Sequence, residues 1–168
     1  DAELLMENGA DGLAFGCLDE SGNLQEAQIR EIVEIIRRYQ GEAVFHRAFD
    51  CVQDQYTAME RLIGMGIHRV LTSGGKAKAV DGAAQIASLQ KAYGEQIEIL
   101  AGSGVNADNA RELMERTGIS QVHSSCKGWL TDPTTEGPDV TYAYVRQPSA
   151  DAYEMVDEKA VKRLVDAI

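Results

Sequence analysis

The sequence lacks the features of several specialised classes of protein. No hydrophobic run approaches the roughly 20 residues that a membrane-spanning helix needs. Its cysteines, Cys17, Cys51 and Cys126, are odd in number and form no CxxC pair, which disfavours a disulfide framework or a structural zinc site and favours a reducing cytoplasm. Basic residues are scarce, 16 against 27 acidic ones, and the net charge of −11 argues against nucleic-acid and anionic membrane partners.

The remaining composition is that of an ordinary globular domain. Hydrophobic residues make up 44% of the 168 positions, which is enough for one domain with a sizeable core. The chain starts at Asp1 and passes directly into helical periodicity, so we expect an upstream segment to be missing.

Helices and strands alternate along the chain. Some segments carry apolar residues at helical spacing, whereas others are short apolar runs, several of which follow a glycine. The predicted helices are 2–8, 25–39, 56–65, 80–93, 106–116 and 157–167, and we expect Asp54 to cap the third helix and Gly66 to end it. The predicted strands are 12–17, 42–45, 67–73, 96–101 and 119–124, and we expect the second to continue through His46 and Arg47.

The spacing of these strands predicts an α/β fold. Their centres lie roughly 22 to 30 residues apart, the period of a βα unit, so all five should be parallel. Such a sheet is either open and doubly wound or part of a TIM-type (β/α)₈ barrel. Five strands cannot close an eight-stranded barrel of about 250 residues, and the start inside a helix favours a partial barrel with about five parallel strands.

Residues 125–156 interrupt this regular pattern. The segment is polar, contains proline and tyrosine, and is too long for an ordinary connection. We predict a long loop insertion before the last helix, either a lid over the strand ends or a partner-binding arm. Its aromatic residues should pack in that lid or interface: Trp129, Tyr142, Tyr144 and Tyr153.

Ionisable side chains are densest around residues 46–50. His46, Arg47 and Asp50 follow a buried apolar run, at the strand end where α/β folds place functional residues. If His46 and Arg47 are adjacent on a strand, they point to opposite faces, with Asp50 orienting one of them. His46 would then act as an acid, a base or a metal ligand. Alternatively, an Arg47–Asp50 ion pair braces the loop and a backbone carbonyl satisfies His46.

Two glycine-rich turns are candidate anion sites. Gly102-Ser103-Gly104-Val105-Asn106 has the form strand, turn, helix N-terminus, which presents backbone N–H groups to an anion. The turn at Thr72-Ser73-Gly74-Gly75 repeats this pattern, and Lys76 and Lys78 would add positive charge. Tight turns without a ligand are the alternative in both cases.

His123 and Ser124 end the last predicted strand, at the same edge as His46. In a closed barrel both imidazoles would reach a common mouth, whereas in an open sheet they would lie too far apart. His68, at the opposite end of a strand, should be structural. The cysteines could gather at the mouth and bind Cu(I), but buried apolar packing is the favoured role.

Four motifs in order resemble one family. Residues 45–50 (Phe-His-Arg-Ala-Phe-Asp), 69–74 (Arg-Val-Leu-Thr-Ser-Gly), 101–105 (Ala-Gly-Ser-Gly-Val) and 122–125 (Val-His-Ser-Ser) are similar to those of the copper homeostasis protein CutC family, and the likeness runs from about residue 1 to 125. The resemblance implies a cytoplasmic TIM-type barrel that self-associates as a homodimer or higher oligomer, with a pocket at the carboxyl ends of its strands.

The same resemblance implies which residues form the site and what is missing. The family's N-terminal third is absent here, and with it the cysteines proposed as copper ligands in some members. The residues carried over are His46, Arg47, Asp50, Ser73, Ser103, His123 and Ser124. Together with the turns, the candidate anion-binding residues are Ser73, Gly74, Gly102, Ser103, Gly104 and Ser124.

Three functional hypotheses follow. The first is a CutC-like protein of copper homeostasis, with copper as the candidate ligand and only weak binding by these side chains. The second is an enzyme for a small anionic or phosphorylated metabolite, in which Gly102–Asn106 holds the anion, Arg47 neutralises charge and His46 or His123 moves a proton. The third is an interaction protein that dimerises through residues 125–156.

Overall fold

The computed structural model describes residues 1–143, 145 and 148–168. These residues form two compact units, the first comprising 1–105 and 111–124 and the second comprising 106–110 and 125–168. Tyr144 lies outside the described residues, so its predicted packing role has no structural counterpart. None of the described helices combines the length and apolar character that a membrane crossing needs.

The first unit is a five-stranded parallel sheet with helices between its strands. The strands are β1 (Gly12–Phe15), β2 (Glu42–Phe45), β3 (Arg69–Thr72), β4 (Glu98–Gly102) and β5 (Gln121–His123). The helices are α1 (Ala2–Glu7), α2 (Glu26–Arg38), α3 (Gln55–Met65), α4 (Ala83–Tyr93) and α5 (Ala110–Thr117), whose first residue belongs to the second unit. Each strand is thus joined to the next by a helical crossover.

The strand order decides between the two predicted architectures. The strands lie in the order β1-β2-β3-β4-β5, and every neighbouring pair is parallel. A doubly wound sheet reverses its strand order partway, whereas a barrel adds each new strand on the same side. The fold is therefore a partial TIM-type barrel, and the prediction of five parallel strands is confirmed.

The two faces of the sheet are buried to different extents. Alternate residues of the three central strands are buried on the face that the helices cover: Ala43, Phe45, Val70, Thr72, Ile99 and Ala101. α2 packs on β2 and α4 on β4, and α2 contributes Ile29, Val33 and Ile36 at helical spacing. The residues between them, such as Val44, Leu71 and Leu100, are only half-buried and lie on the face that would point into a closed barrel.

Several local expectations are met where the sequence signal is strong. β2 covers Glu42–Phe45 as predicted. Asp54 caps α3 by accepting hydrogen bonds from the Tyr56 and Thr57 amides, and Gly66 ends that helix with a φ of 84°. α3 is therefore delimited by two residues that the sequence already marks.

Other boundaries differ from the prediction. The strand after α2 stops at Phe45, so the expectation that His46 and Arg47 lie on a strand and face opposite sides is wrong. Instead, His46 is the N-cap of a 3₁₀ helix over Arg47–Cys51. α5 begins at Ala110 rather than at Asn106, because residues 107–109 form a turn in which the Asn106 side chain accepts a hydrogen bond from the Asp108 amide.

Among its described residues, the second unit contains a two-stranded antiparallel sheet, a short 3₁₀ helix (Pro133–Thr135) and one complete α-helix. β6 (Lys127–Thr131) pairs with β7 (Ala152–Val156), and α6 (Glu158–Ala167) follows, capped by Asp157. The segment 125–156, which we expected to be a long loop, therefore includes two strands. Its strands were hard to predict because each has only five residues and they pair across 20 intervening positions.

Candidate functional site

The carboxylate of Asp50 is the centre of the polar groups at the strand ends. Its Oδ1 accepts hydrogen bonds from Thr72 Oγ1 at 2.6 Å and from the Gly75 amide at 3.0 Å. Its Oδ2 accepts from Arg47 Nε at 2.8 Å, and the Ser73 amide lies within 3.1 Å of both oxygens. The side chain is only 7% exposed. The carboxylate therefore joins the 3₁₀ helix after β2 to the turn after β3.

These hydrogen bonds determine the protonation of Asp50. Burial raises the pKa of the carboxyl group, but hydrogen bonds from Thr72, Gly75 and Ser73 lower it more, so the net pKa lies below the ordinary Asp value. Asp50 is therefore ionised at neutral pH and is a hydrogen-bond acceptor only.

Arg47 is held on two of its three nitrogens. Nε donates to Asp50, while Nη2 donates to Ser73 Oγ at 2.9 Å and more weakly to the Lys76 carbonyl oxygen at 3.4 Å. The side chain is nevertheless 40% exposed. The structure thus contains the Arg47–Asp50 ion pair that the bracing alternative predicts, and it extends that pair to a neighbouring strand end.

The position of the His46 ring depends on a backbone amide and on the space left by Gly16. Its Nδ1 accepts a hydrogen bond from the Ala48 amide at 3.1 Å, so a neutral imidazole carries its proton on Nε2. A Cβ atom at Gly16 would lie 2.5 Å from the ring, so only glycine leaves room for it. The predicted backbone carbonyl partner for His46 is replaced by an N–H group. Within the described residues, Nε2 has no hydrogen-bond partner.

The turn at Ser73-Gly74-Gly75, called the β3 turn below, already holds an anion from its own chain. The amides of Ser73 and Gly75 donate to Asp50, and the Gly74 amide donates to Thr72 Oγ1 at 2.9 Å. Ser73 and Thr72 are fully buried. The Ser73 and Gly74 amides, predicted to bind an external anion, thus have intramolecular partners.

The turn at Gly102-Ser103-Gly104-Val105, called the β4 turn below, is held differently. Ser103 Oγ donates to the Ala77 carbonyl oxygen at 2.8 Å, and the Ser103 carbonyl oxygen accepts from the Ala79 amide. Ser103 and Gly104 have φ values of 84° and 72°. Because α5 begins only at Ala110, the predicted direct passage from this turn into a helix N-terminus is not present.

His123 and Ser124 lie at the end of β5. His123 is exposed, and Ser124 Oγ donates to the Val105 carbonyl oxygen at 2.6 Å. Strands β3 and β4 separate His123 from His46, a distance of roughly 14 Å at about 4.8 Å per strand. The structure thus brings His46, Arg47, Asp50 and Ser73 together but does not bring His123 to them.

The structure offers no preformed metal centre among the residues it describes, where no three His, Cys, Asp or Glu side chains are grouped to hold an ion. Cys51 is exposed, contrary to its expected packing role, whereas Cys17 and Cys126 are partly buried. Burial raises the pKa of the Cys17 thiol, so it is protonated at neutral pH.

His68 is structural as predicted, because its Nδ1 accepts a hydrogen bond from the Ala43 amide at 2.9 Å.

Thr72 and Gly75 were predicted as parts of an anion turn rather than as partners of Asp50, and Gly16 was not predicted as part of the site. Thr72 contributes a hydroxyl to Asp50, Gly75 contributes an amide, and Gly16 gives space to the His46 ring. The threonine was visible in the motif Leu71-Thr72-Ser73, but its burial against a carboxylate from the preceding strand end requires the tertiary structure. Gly16 was predicted to lie within the strand 12–17, and no sequence signal marked its closeness to His46.

Comparison with known proteins links this arrangement to a family. The CutC family model matches residues 1–128, which include the whole parallel sheet and all the strand-end residues discussed above. A CutC family protein of Treponema denticola is 34% identical over all of this chain and 68% of its own length. One from Glaesserella parasuis is 42% identical over 71% of this chain and 49% of its own length. The chain thus spans between half and about two thirds of these relatives.

Two solved structures show the same fold. The crystal structure of CutC from Streptococcus agalactiae, a protein named for copper homeostasis, has a TM-score of 0.68 and 26% identity and covers 73% of this chain and 59% of its own. A native KDPGal structure has a TM-score of 0.58 over 99% of this chain and 62% of its own, and its 14% identity shows the fold alone. With its partial barrel and its family match over residues 1–128, the chain belongs to the CutC family.

Proposed function

We propose that this protein takes part in copper homeostasis, the role for which the Streptococcus agalactiae CutC is named. The observation that carries the proposal is the family match over the entire parallel sheet, including His46 and Arg47 at its strand ends. We also propose a cytoplasmic location, because Cys17 and Cys51 are free cysteines, which suits a reducing compartment.

Direct copper binding by these side chains should be weak. Cu(I) prefers thiolate and imidazole ligands, and Cys17 and His46 are such donors at neighbouring strand ends, since they follow the paired residues Phe15 and Phe45 of β1 and β2. Copper must displace the proton of the partly buried Cys17 thiol, whose raised pKa makes this costly. Two donors also hold a copper ion less tightly than three or four.

A competitive titration tests the binding part of the proposal. Cu(I) is added to the protein in the presence of bicinchoninate, and the coloured chelator complex reports the metal that the protein does not take. We expect weak one-to-one binding that is lost in Cys17→Ser and kept in a Cys51→Ser/Cys126→Ser control. Binding that survives Cys17→Ser, or that the control abolishes, would assign copper to other groups.

A genetic experiment tests the role itself. Cells that lack this protein should tolerate added copper less well than the parent strain, and the intact protein supplied in trans should restore growth. The Asp50→Asn variant is a useful companion, because it disturbs the strand-end cluster without removing a cysteine. Equal tolerance with and without the protein would contradict a role in copper homeostasis.

We also propose that copies of this chain associate with one another. On one face of the β6–β7 sheet, Leu130 lies opposite Tyr153 with Met155 beside it, and each is 40–46% exposed. A two-stranded sheet is marginal alone, so an apolar face of this kind gains by being covered. Sedimentation velocity over a range of concentrations should show a dimer that Leu130→Asp dissociates, and a monomer at every concentration would refute it.

The enzymatic hypothesis receives no support from the strand-end geometry. The hypothesis places the anion at Gly102–Asn106, but α5 begins only at Ala110, so this turn does not lead directly into a helix N-terminus. Either His46 or His123 would move the proton. These residues lie at the ends of β2 and β5, with two strands between them, so His123 is remote from Arg47.

A further inference from the structure

Three cations lie at the carboxyl ends of β2 and β3 in an otherwise acidic protein. Arg47 follows β2, and Lys76 and Lys78 lie in the loop after β3; both lysines are exposed. In the part of the chain that the structure describes, neither lysine forms an ion pair. Asp50 is buried in its own hydrogen bonds, which leaves the exposed Asp81 as the other carboxylate of this loop.

Arg47 presents one fixed edge of its guanidinium group. Nε and Nη2 are held by Asp50, Ser73 and the Lys76 carbonyl oxygen. Among the described residues, nothing accepts a hydrogen bond from Nη1. Since the side chain is 40% exposed, Nη1 can donate to a ligand without breaking any of these contacts.

The loop that carries the two lysines is held in place by the β4 turn. Ser103 Oγ donates to the Ala77 carbonyl oxygen, and the Ala79 amide donates to the Ser103 carbonyl oxygen at 3.0 Å. The stem of Lys78 lies against Gly104, where an added Cβ would be 3.3 Å from its Cγ. The backbone positions of both lysines are therefore determined by contacts on either side of the loop.

We propose that Arg47, Lys76 and Lys78 form a binding site for a phosphate group, either inorganic phosphate or a phosphate monoester. Asp50 balances the charge of Arg47, so the two lysines supply the excess positive charge that suits a phosphate dianion, and arginine and lysine are both common phosphate ligands. The ligand binds side chains here, since the amides of the β3 turn are occupied. The site involves no cysteine and is independent of the copper proposal.

Nuclear magnetic resonance can test this site on the ¹⁵N-labelled protein. Inorganic phosphate, glycerol phosphate and sulfate are each added at low ionic strength, and amide shifts are followed. We expect saturable shifts at Gly75, Lys76 and Lys78, and tighter binding of glycerol phosphate than of inorganic phosphate if a monoester is the ligand. Tighter binding of inorganic phosphate would assign the site to the free ion.

Charge removal then distinguishes a specific site from general attraction. Lys76→Gln/Lys78→Gln should weaken phosphate binding about tenfold, a factor of about three for each exposed contact. Lys91→Gln/Lys159→Gln removes the same charge from exposed lysines elsewhere and should leave binding within about twofold. Arg47→Lys should also weaken binding, because it removes Nη1. Equal loss in the two double variants, or shifts that avoid this loop, would overturn the proposal.

Discussion

The β3 turn and the β4 turn have similar sequences and different structural roles. Both follow a buried parallel strand and both combine serine with glycine. In the β3 turn the amides surround the Asp50 carboxylate. In the β4 turn the connections run from the Ser103 hydroxyl and carbonyl to the neighbouring loop. A glycine-rich turn thus indicates that its amides can bind an anion. Only the tertiary structure shows whether a carboxylate of the same chain already occupies them.

The two turns therefore have different roles at the strand ends. The hydroxyl of Ser73 in the β3 turn and that of the preceding Thr72 are both fully buried and hydrogen-bonded to Asp50. The β3 turn serves as a rigid support that orients Arg47. The β4 turn supports the loop that carries Lys76 and Lys78. The ligand site that we propose depends on both turns but uses the amides of neither.

Removing the Asp50 carboxylate should have the largest effect on stability. Asp50→Ala leaves the buried Thr72 hydroxyl and the Ser73 amide without their acceptor, so we expect the free energy of unfolding to fall by about 3–5 kcal/mol. Urea denaturation followed by circular dichroism measures this loss. Asp54→Ala is the matched control, because it removes only a helix cap and should cost about 1 kcal/mol. Equal losses would show that Asp50 is an ordinary surface group.

Protonation of Asp50 at low pH should remove part of the stability that the Asp50→Ala variant loses. The folded-state pKa of Asp50 lies below its unfolded value of about 3.9, so its contribution is complete above that pH and is lost as the pH falls through the folded pKa. Wild type should therefore lose more stability than Asp50→Ala between neutral pH and strong acid. Asp19, Asp54, Asp132 and Glu98 also have lowered pKa values, but they are common to both proteins. Parallel pH profiles would contradict the assignment.

The fold was predictable because its signals are local. Helix-ending glycines such as Gly66, the cap at Asp54 and the apolar run of β2 each mark an element within a few residues. Their regular spacing then implies parallel strands. The sequential strand order that identifies a barrel follows from the coordinates, since both architectures considered contain the same alternating elements.

The site was predictable only in part because its decisive contacts are not local. The motif at 45–50 correctly marked Arg47 and Asp50 as a pair, since they are three residues apart. The carboxylate's bonds to Thr72 and Gly75 join residues 22 and 25 positions apart, and no sequence pattern encodes that contact. β6 and β7 were missed for the same reason.

Replacing one glycine by alanine in each turn tests how closely the two turns are packed. Gly74 has a φ of 67°, and its Cβ would lie 2.4 Å from the Gly82 carbonyl oxygen, so Gly74→Ala should cost about 2–3 kcal/mol. Gly104 has a similar φ, but its Cβ would meet only the flexible stem of Lys78, so Gly104→Ala should cost about 1 kcal/mol. Urea denaturation of both variants checks the ranking. A larger cost at Gly104 would reverse our description of the two turns.

The two serines provide the most sensitive comparison. Ser73 Oγ accepts from Arg47 Nη2 and lies 2.8 Å from Asp50 Oδ2 inside the buried cluster, so Ser73→Ala should cost about 1–2 kcal/mol. Ser103→Ala removes a single hydrogen bond at the surface and should cost about 0.5 kcal/mol. Thermal unfolding of both variants at neutral pH measures the difference. Because Ser103 has a φ of 84°, Ser103→Gly should recover part of its loss by relieving that backbone strain, whereas the same change at Ser73 should recover nothing.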